Sequence, residues 1–292
     1  MDAPTTVARL ACDEPTARRL SSTLAESLDP DDCVCAAFEG DNGRWQMAIH
    51  FRAPPDQRAL RALVAAAAGD AAAAALIIEA VAAKDWVKES QHGLQPVRAG
   101  RFIVHGAHDR ARVRANAIGI EIEAALAFGT GHHGTTRGCL LALDVLAKRR
   151  RMRRVLDIGT GSGVLAIAAA KILRTWVIAS DIDPVAIAAA KTNARRNRVA
   201  AAATFAHAAG ANSRAITAHA PYDLIFANIL LGPLMRLALP IRRLAAPGAR
   251  IVLSGLLPGQ ANAVLAIYRA QGLSLERRVP LDGWATLVLR RA

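Results

Sequence analysis

Three glycines at alternate positions mark the stretch of this sequence with the clearest potential for chemistry. Gly159, Gly161 and Gly163 follow the apolar run 155–158 and precede the alanine-rich run 164–171. This pattern predicts a buried strand, a tight turn and the start of a helix. Glycine suits such a turn because its backbone bends sharply and no Cβ blocks an approaching ligand.

The spacing of the turn and the acid before it indicate which ligand it binds. A dinucleotide turn reads G-x-G-x-x-G and places a pyrophosphate on the helix N-terminus, whereas the spacing here is G-x-G-x-G. Asp157 at the strand tip would repel a pyrophosphate but would suit a cationic ligand, such as the ammonium and sulfonium of S-adenosyl-L-methionine. The alternative is a merely structural turn between a strand and a helix.

A second carboxylate supports the cofactor hypothesis. Asp181 ends the apolar run 176–180 and lies 22 residues after Gly159. An acid in this place typically accepts both hydroxyls of a bound ribose. We therefore predict a cofactor-binding site formed by Asp157, Gly159, Gly161, Gly163 and Asp181.

Asn228, which follows the buried run 222–227, is the candidate for the chemistry itself. Methyl transfer to nitrogen is an in-line displacement that needs a neutral amine with its lone pair aimed at the methyl group. An asparagine carbonyl, with backbone carbonyls beside it, can accept the amine N–H bonds and orient the nucleophile. Alternatively, Asn228 caps the following helix. Both roles can hold, and the position at a strand end favours a functional one.

The segment 126–137 predicts a polar lid over the cofactor. It contains His132, His133 and three threonines, and a helix from about residue 138 to 147 follows it. Adjacent histidines rarely bind one metal ion and no third ligand is evident, so we predict no metal site.

The elements that position these residues follow from the alternation of strands and helices after residue 154. It predicts an α/β fold, an open, doubly wound, Rossmann-like sheet, ending in an antiparallel hairpin at 273–279 and 284–289. Ligands of such sheets bind at the carboxyl ends of the strands, where Asp157, Asp181 and Asn228 all lie.

The N-terminal part of the chain predicts a second, smaller domain. Residues 1–83 have the β-α-β-β-α-β order of a ferredoxin-like α+β fold and no reactive cluster, which is typical of a substrate-recognition module. We expect residues 84–115 to form a linker, in which Trp86 packs between the domains, and residues 116–292 to form the catalytic domain.

Positive charge is concentrated in the second part of the chain. The net charge is +13, and residues 1–105 contain 11 Lys/Arg against 14 Asp/Glu, while residues 106–292 contain 26 against 10, which leaves +16 there. Such a basic domain suggests a polyanion nearby, and the possible partner is rRNA. The alternative is high arginine usage on solvated helix faces.

Composition also bears on the compartment. The chain opens without a hydrophobic leader. The alanine-rich run 62–83 is broken by Gly69, Asp70 and Glu79, so it does not predict a membrane span. Cys33 and Cys35 do not make a usual zinc site. We therefore expect a cytoplasmic protein without membrane contact, and we expect a monomer.

Four motifs together resemble the PrmA family, the methyltransferases of ribosomal protein L11. They are A-F-G-T-G at 127–131 with T-T at 135–136, D-x-G-x-G-x-G at 157–163, D-I-D-P at 181–184 and A-N-I-L-x-G-P-L at 227–234. The resemblance covers roughly residues 84–290, including Asp85-Trp86, Ser254-Gly255 and Gln260, while the N-terminal part matches only in its order of elements.

The resemblance implies an enzyme that uses S-adenosyl-L-methionine to trimethylate lysine ε-amines and the N-terminal α-amine of ribosomal protein L11. It implies cofactor contacts at Thr136, Gly159, Asp181 and Asn228. The chain departs from the family at 132–134, where His-His-Gly replaces the usual Thr-His-Pro, and the loss of the proline should loosen the lid. Thr160 also replaces a frequent cysteine.

Two other functions stay open at this point. An RNA base methyltransferase would explain the basic domain, but a flipped base is normally held by an aromatic and a polar pair, and here Asn228 is followed by Ile229 and Leu230. A non-catalytic ribosome-assembly factor could retain the fold, but the intact Asp157, Asp181 and Asn228 argue against a decayed site.

Overall fold

The structure is a computed structural model, and it describes residues 5–27, 33–39, 45–51, 53–81, 96–122, 134–149 and 151–292. The chain divides into two units, Met1–His92 and Gly93–Ala292. All of the residues predicted to bind the cofactor or to act in catalysis belong to the second unit.

The first unit has one antiparallel sheet and three helices among its described residues. Its strands lie in the order β2-β3-β1-β4, which together with the helices gives the predicted ferredoxin-like pattern. In chain order the elements are β1 (Thr5–Cys12), α1 (Glu14–Ser27), β2 (Cys33–Glu39), β3 (Trp45–Phe51), α2 (Gln57–Ala68), α3 (Asp70–Ala75) and β4 (Ile77–Val81).

Local sequence explains why α2 begins where it does. The Asp56 carboxylate accepts hydrogen bonds from the N–H groups of Arg58 at 2.9 Å and Ala59 at 3.1 Å, which satisfies two of the free donors of the first turn. Leu60 and Val64 then lie on one helix face and are buried against the sheet.

A small sheet opens the second unit. It consists of β5 (Val97–Ala99), β6 (Phe102–His105) and β7 (Ile118–Glu121), with a 3₁₀ helix at Ala107–Arg112 between the last two. Regular structure therefore starts at residue 97, within the segment 84–115 that we expected to be a linker. The physical reason is burial, since Phe102, Val104 and Ile120 belong to the core of the second unit.

The main sheet of the second unit has seven strands in the order β10-β9-β8-β11-β12-β14-β13. Strands β8 to β12 are parallel and β14 is antiparallel to both of its neighbours, which confirms the doubly wound sheet with a terminal hairpin. The strands are β8 (Arg154–Ile158), β9 (Trp176–Asp181), β10 (Ala203–His207), β11 (Tyr222–Asn228), β12 (Ala245–Leu256), β13 (Leu273–Leu281) and β14 (Trp284–Arg291).

Helices cover both faces of this sheet. They are α4 (Gly134–Arg149), α5 (Val164–Leu173), α6 (Pro184–Arg196), α7 (Arg214–Thr217), α8 (Leu231–Arg236), α9 (Ala238–Leu244) and α10 (Ala261–Ala270). Side chains of alternate strand residues enter two separate apolar clusters, one with Val155 and Phe226 and the other with Leu156 and Ile225. Both faces are thus buried, as is usual for parallel sheets.

Two helices differ from the prediction. Helix α4 begins at Gly134, four residues earlier than expected, so Thr136 lies in a helical first turn and not in a loop. The sequence between the Asn228 strand end and Pro247-Gly248 predicts one helix over 234–245, which the structure divides into α8 and α9. Pro240 accounts for the break, because it lacks an N–H and its ring would clash with the carbonyl of Arg236 in a continuous helix.

Among the described helices, none has both the length and the apolar character needed to cross a membrane.

Candidate active site

The predicted site residues meet at the carboxyl edge of three neighbouring strands, β9, β8 and β11. Asp157 of β8 is level with Ala179 and Phe226 in the strands on either side. Asp181 and Asn228 lie two residues beyond these partners, so all three polar side chains belong to the same face of the sheet. Between β8 and β11 the strand order changes direction, which is the point where ligands of such sheets bind.

The glycine turn is folded back onto the neighbouring strand. The N–H groups of Gly159 and Thr160 both donate to the Ser180 carbonyl, at 2.8 and 2.9 Å. Gly159, Gly161 and Gly163 have φ values of +70°, +54° and +83°, a region that other residues adopt only with strain. A Cβ on Gly159 would lie 2.3 Å from Cγ2 of Ile229, so the turn also needs glycine for space.

Asp157 lies beneath this turn and is 1% exposed. Its Oδ2 accepts a hydrogen bond of 2.6 Å from the Thr160 hydroxyl, whereas the buried Oδ1 has no hydrogen-bond partner among the described residues. Burial raises the pKa of the carboxyl to about 7. The Thr160 hydroxyl and the nearby Ala166 backbone N–H oppose the shift, and the charge of Asp181 adds to it. Oδ1 of Asp157 can therefore accept a hydrogen bond from a ligand or interact with a positive charge on it.

Asp181 is held at the open side of the turn. Its Oδ2 accepts from the Gly161 N–H at 2.8 Å and its Oδ1 from the Asp183 N–H at 3.1 Å. Each oxygen keeps a second lone pair, so a fixed carboxylate remains able to accept two hydroxyl groups. Next to it, Ile182 is 70% exposed, an apolar surface that our sequence reasoning did not use. An apolar residue directly after the acid that ends a strand is the sequence feature that could have indicated this surface.

Asn228 contacts the first turn of α4. Its Nδ2 donates to Oγ1 of Thr136 at 3.4 Å, across 92 residues of sequence. Helix α8 begins at Leu231 with Leu230 as its N-cap and has no side-chain cap, so Asn228 does not cap the following helix as the alternative required. With Nδ2 used, Oδ1 of Asn228 is the acceptor left at the strand end.

The segment after Asn228 passes closely over β12. A Cβ on Gly255 would lie 2.3 Å from the carbonyl oxygen of Ile229, and Gly255 itself has a φ of +83°. Leu230, next in the chain, is 77% exposed. Gly159 and Gly255 together therefore fix Ile229 from two sides, and with it the direction of Asn228.

Two buried hydroxyls anchor the start of α4. Ser254 donates to the Thr135 carbonyl at 3.3 Å and shares a hydrogen bond of 2.8 Å with Thr286. A Cβ on Gly138 would lie 2.2 Å from Oγ1 of Thr286, so the helix packs tightly on β14. Sequence reasoning missed Thr286, because its partners come from distant parts of the chain.

The structure thus brings together Thr136, Asp157, Asp181 and Asn228 around the three glycines. The lid prediction rests mainly on residues 126–133, including His132 and His133, which lie outside the described residues. The same holds for the Asp85-Trp86 pair.

Comparisons with known proteins agree with the geometry. A family model described as "Ribosomal protein L11 methyltransferase (PrmA)" matches residues 29–292. Proteins named ribosomal protein L11 methyltransferase from Rhodopseudomonas palustris and Bradyrhizobium diazoefficiens are each 52% identical, over 96% and 95% of this chain and 95% and 94% of their own lengths. The crystal structure of a ribosomal protein L11 methylase from Lactobacillus delbrueckii subsp. bulgaricus is similar with a TM-score of 0.61 and 25% identity, over 68% of this chain and 100% of that one.

Proposed function

This chain belongs to the PrmA family of ribosomal protein L11 methyltransferases, and we propose on that premise that it transfers methyl groups from S-adenosyl-L-methionine to amino groups of ribosomal protein L11. The observation that carries the proposal is the convergence of Asp157, Asp181 and Asn228 on one face of the sheet, at the glycine turn. The acceptors we propose are lysine ε-amines and the N-terminal α-amine.

The residues at this edge fit the cofactor. The turn exposes backbone without a side chain at Gly161, which has a φ of +54°, and Asp157 presents a buried oxygen that has no hydrogen-bond partner among the described residues. Asp181 has the free lone pairs to accept both ribose hydroxyls, and the Thr136 hydroxyl lies at the same edge. When bound, S-adenosyl-L-methionine supplies a sulfonium-activated methyl group next to these acids.

Asn228 orients the nucleophile in this proposal. Its Nδ2 is held by Thr136, so its Oδ1 accepts an N–H bond of the incoming amine and turns the nitrogen lone pair toward the methyl group. Removal of the amine from water, next to the positive charge of the cofactor, lowers the pKa of the amine and favours its neutral form. Asn228 thus sets the direction of the amine, and the loss of water sets its protonation state.

The remaining parts of the chain have supporting roles. We propose that the first unit recognises the protein substrate, since it is a folded module whose described residues include none of the proposed cofactor-binding or catalytic residues. We also propose that the basic second unit contacts rRNA, that the enzyme acts as a monomer, and that it works in the cytoplasm, where its substrate is made.

The positive charge of the second unit also favours a second candidate, an RNA base methyltransferase. Leu230, exposed beside Asn228, is aliphatic and offers no aromatic face on which a flipped base could stack. This difference favours the protein substrate.

Incubation with methyl-labelled cofactor separates the functions. We expect label on purified ribosomal protein L11 and none on naked large-subunit rRNA, with Asn228→Ala as the matched inactive control. Label on the RNA would establish the base methyltransferase instead. No transfer to either, under conditions in which the protein binds the cofactor, would leave the non-catalytic assembly role.

A further inference from the structure

The opposite edge of the seven-stranded sheet, which we call the amino edge, collects arginines. This is the edge where β8 to β12 begin and β14 ends. Helices α4, α6, α9 and α10 end here because each leads into a strand that begins at this edge, and their last turns include Arg149, Arg195, Arg243 and Arg269. Arg153 and Arg154 are exposed where β8 begins.

The acids of this edge are already paired. Asp144 accepts from Arg101 at 2.5 Å and from Lys148 at 3.0 Å, and these bonds lower its pKa although burial alone would raise it. Asp223 accepts from the backbone N–H groups of Arg153 and Arg154. Glu276 pairs with the Arg250 guanidinium. In the described part of the chain, these acids therefore leave the exposed guanidinium groups of Arg153 and Arg243 without a carboxylate partner.

Two arginines of this edge occupy positions where glycine is favoured. Arg174, at the end of α5, has a φ of +49°, and Arg198, just after α6, has a φ of +58°. Side chains adopt this region only with strain, and helices commonly end there with glycine. Each of these arginines therefore places a positive charge at a helix end where glycine would relieve the strain.

Stabilisation of helix ends explains only part of the pattern. Cations near helix C-termini interact favourably with the helix dipole. Arg290 and Arg291, however, end a strand, which has little net dipole. Burial, followed by repulsion from Arg242, lowers the pKa of Arg291, whose guanidinium donates a hydrogen bond to the Ala245 carbonyl, so two positive groups lie close together at this point.

We propose that the amino edge binds the phosphate backbone of RNA. Seven strands at about 4.8 Å spacing extend over about 29 Å, which is long enough to follow several successive phosphates of one nucleic-acid strand. A row of exposed arginines of this length suits successive phosphates. Binding to an anionic membrane would need apolar residues beside the charges. Four of the exposed large apolar side chains described in the second unit, Ile182, Val185, Leu230 and Leu257, follow the carboxyl ends of strands, and the fifth, Leu239, lies in the first turn of α9.

RNA held at the amino edge leaves the catalytic edge open, because the two are opposite ends of the same strands. Only the identification of this RNA as ribosomal rests on the proposed function. An RNA-bound substrate protein would then be presented at a raised local concentration.

Charge reversal at two exposed positions tests the surface. The probe is a mixed-sequence RNA duplex of about one to two turns, and its binding to the full chain is measured by fluorescence anisotropy at several salt concentrations. Arg153→Glu with Arg243→Glu should weaken binding about tenfold or more and reduce the salt slope by about two. Lys191→Glu with Arg277→Glu, exposed positions in the middle of α6 and β13, is the control with the same change of net charge and should have a much smaller effect.

Equal weakening by both pairs would show a net-charge effect and overturn the proposal, as would no weakening by either. Anionic vesicles serve as a third ligand. The proposal would also be contradicted if the protein bound vesicles more tightly than RNA and the Arg153→Glu, Arg243→Glu variant lost that vesicle binding.

Arg174→Gly with Arg198→Gly should weaken RNA binding without lowering Tm. A fall in Tm without loss of RNA binding would assign these arginines to helix stability. Methyl transfer to free ribosomal protein L11 is followed separately, so its failure bears on the proposed function alone.

Discussion

The two edges of the seven-stranded sheet carry opposite chemistry on the same strands. At the carboxyl edge, Asp157, Asp181 and Asn228 surround a turn of glycines. At the amino edge, arginines end the helices, and the acids among them are paired. The comparison shows how one parallel sheet can separate a site for a cationic cofactor from a surface for a polyanion.

The edges also differ in how tightly they are built. The catalytic edge depends on close contacts, such as Ile229 over Gly255 and Ser254 on α4, so small changes there should be costly. The arginines of the amino edge are largely exposed, and single changes there should cost little stability.

The largest effect is expected at Gly255. Gly255→Ala adds a strained φ and a clash with the Ile229 carbonyl, and should cost about 3 kcal/mol or more of unfolding free energy. Gly283→Ala is the control, because Gly283 has a φ of +75° but nothing within 4 Å of its Cβ position. Denaturant unfolding of both variants measures the difference. If the two lose the same stability, the close contact with Ile229 does not constrain the site.

Asn228 should matter for the rate more than for cofactor binding. Asn228→Ala removes the acceptor that orients the amine and should lower kcat about 100-fold or more. Single-turnover kinetics with saturating cofactor measures this step. Thr136→Val should have a smaller effect in the same direction, since it releases Nδ2 but keeps Oδ1. An Asn228→Ala enzyme with an unchanged rate would exclude this residue from the chemistry.

Asp181 should determine cofactor affinity. Asp181→Ala removes charge-assisted hydrogen bonds worth about 1.5–3 kcal/mol, and affinity should fall about 10–100-fold by calorimetry. The neighbouring Asp183 provides the control, because its carboxylate caps α6 through the Val185 N–H at 2.8 Å. Asp183→Ala should cost about 1 kcal/mol of stability and leave affinity nearly unchanged. Equal losses of affinity would mean that Asp181 acts only through the fold.

Asp157 should give the protein a pH dependence. Its folded pKa of about 7 is above the ordinary 3.8, so between these values the folded chain holds a proton that the unfolded chain releases. The unfolding free energy should therefore fall as pH rises through this window, by up to about 1.4 kcal/mol per pH unit.

Asp157→Asn should flatten that profile, as measured by denaturant unfolding at a series of pH values. Affinity for the cationic cofactor should rise over the same window in the wild type, because the ionised carboxylate attracts positive charge. Identical stability profiles for the two proteins would show that Asp157 does not titrate there.

Much of the catalytic edge follows from the sequence, because its signals are local. Glycines at alternate positions and acids at the ends of apolar runs specify the turn, and strand–helix alternation specifies the sheet. The burial of Asp157 beneath the turn does not follow, because it depends on where Thr160 and α5 lie in space.

Features that depend on distant contacts were missed. The sheet of β5 to β7 looked like a linker because its strands are only three or four residues long, and packing in the core of the second unit stabilises them. The sequence predicts a later start for α4 because glycine and threonines favour turns, whereas Ser254 and Thr286 anchor its first turns in the structure. The sequence shows an excess of arginine, but only the fold places it at one edge.

The most direct test of the site is a crystal structure with S-adenosylhomocysteine, the product of the cofactor. The account predicts density across the glycine turn, with the ribose hydroxyls on the Asp181 carboxylate and the sulfur directed toward Asn228. Density at another place in the second unit, or a ribose that does not contact Asp181, would contradict it.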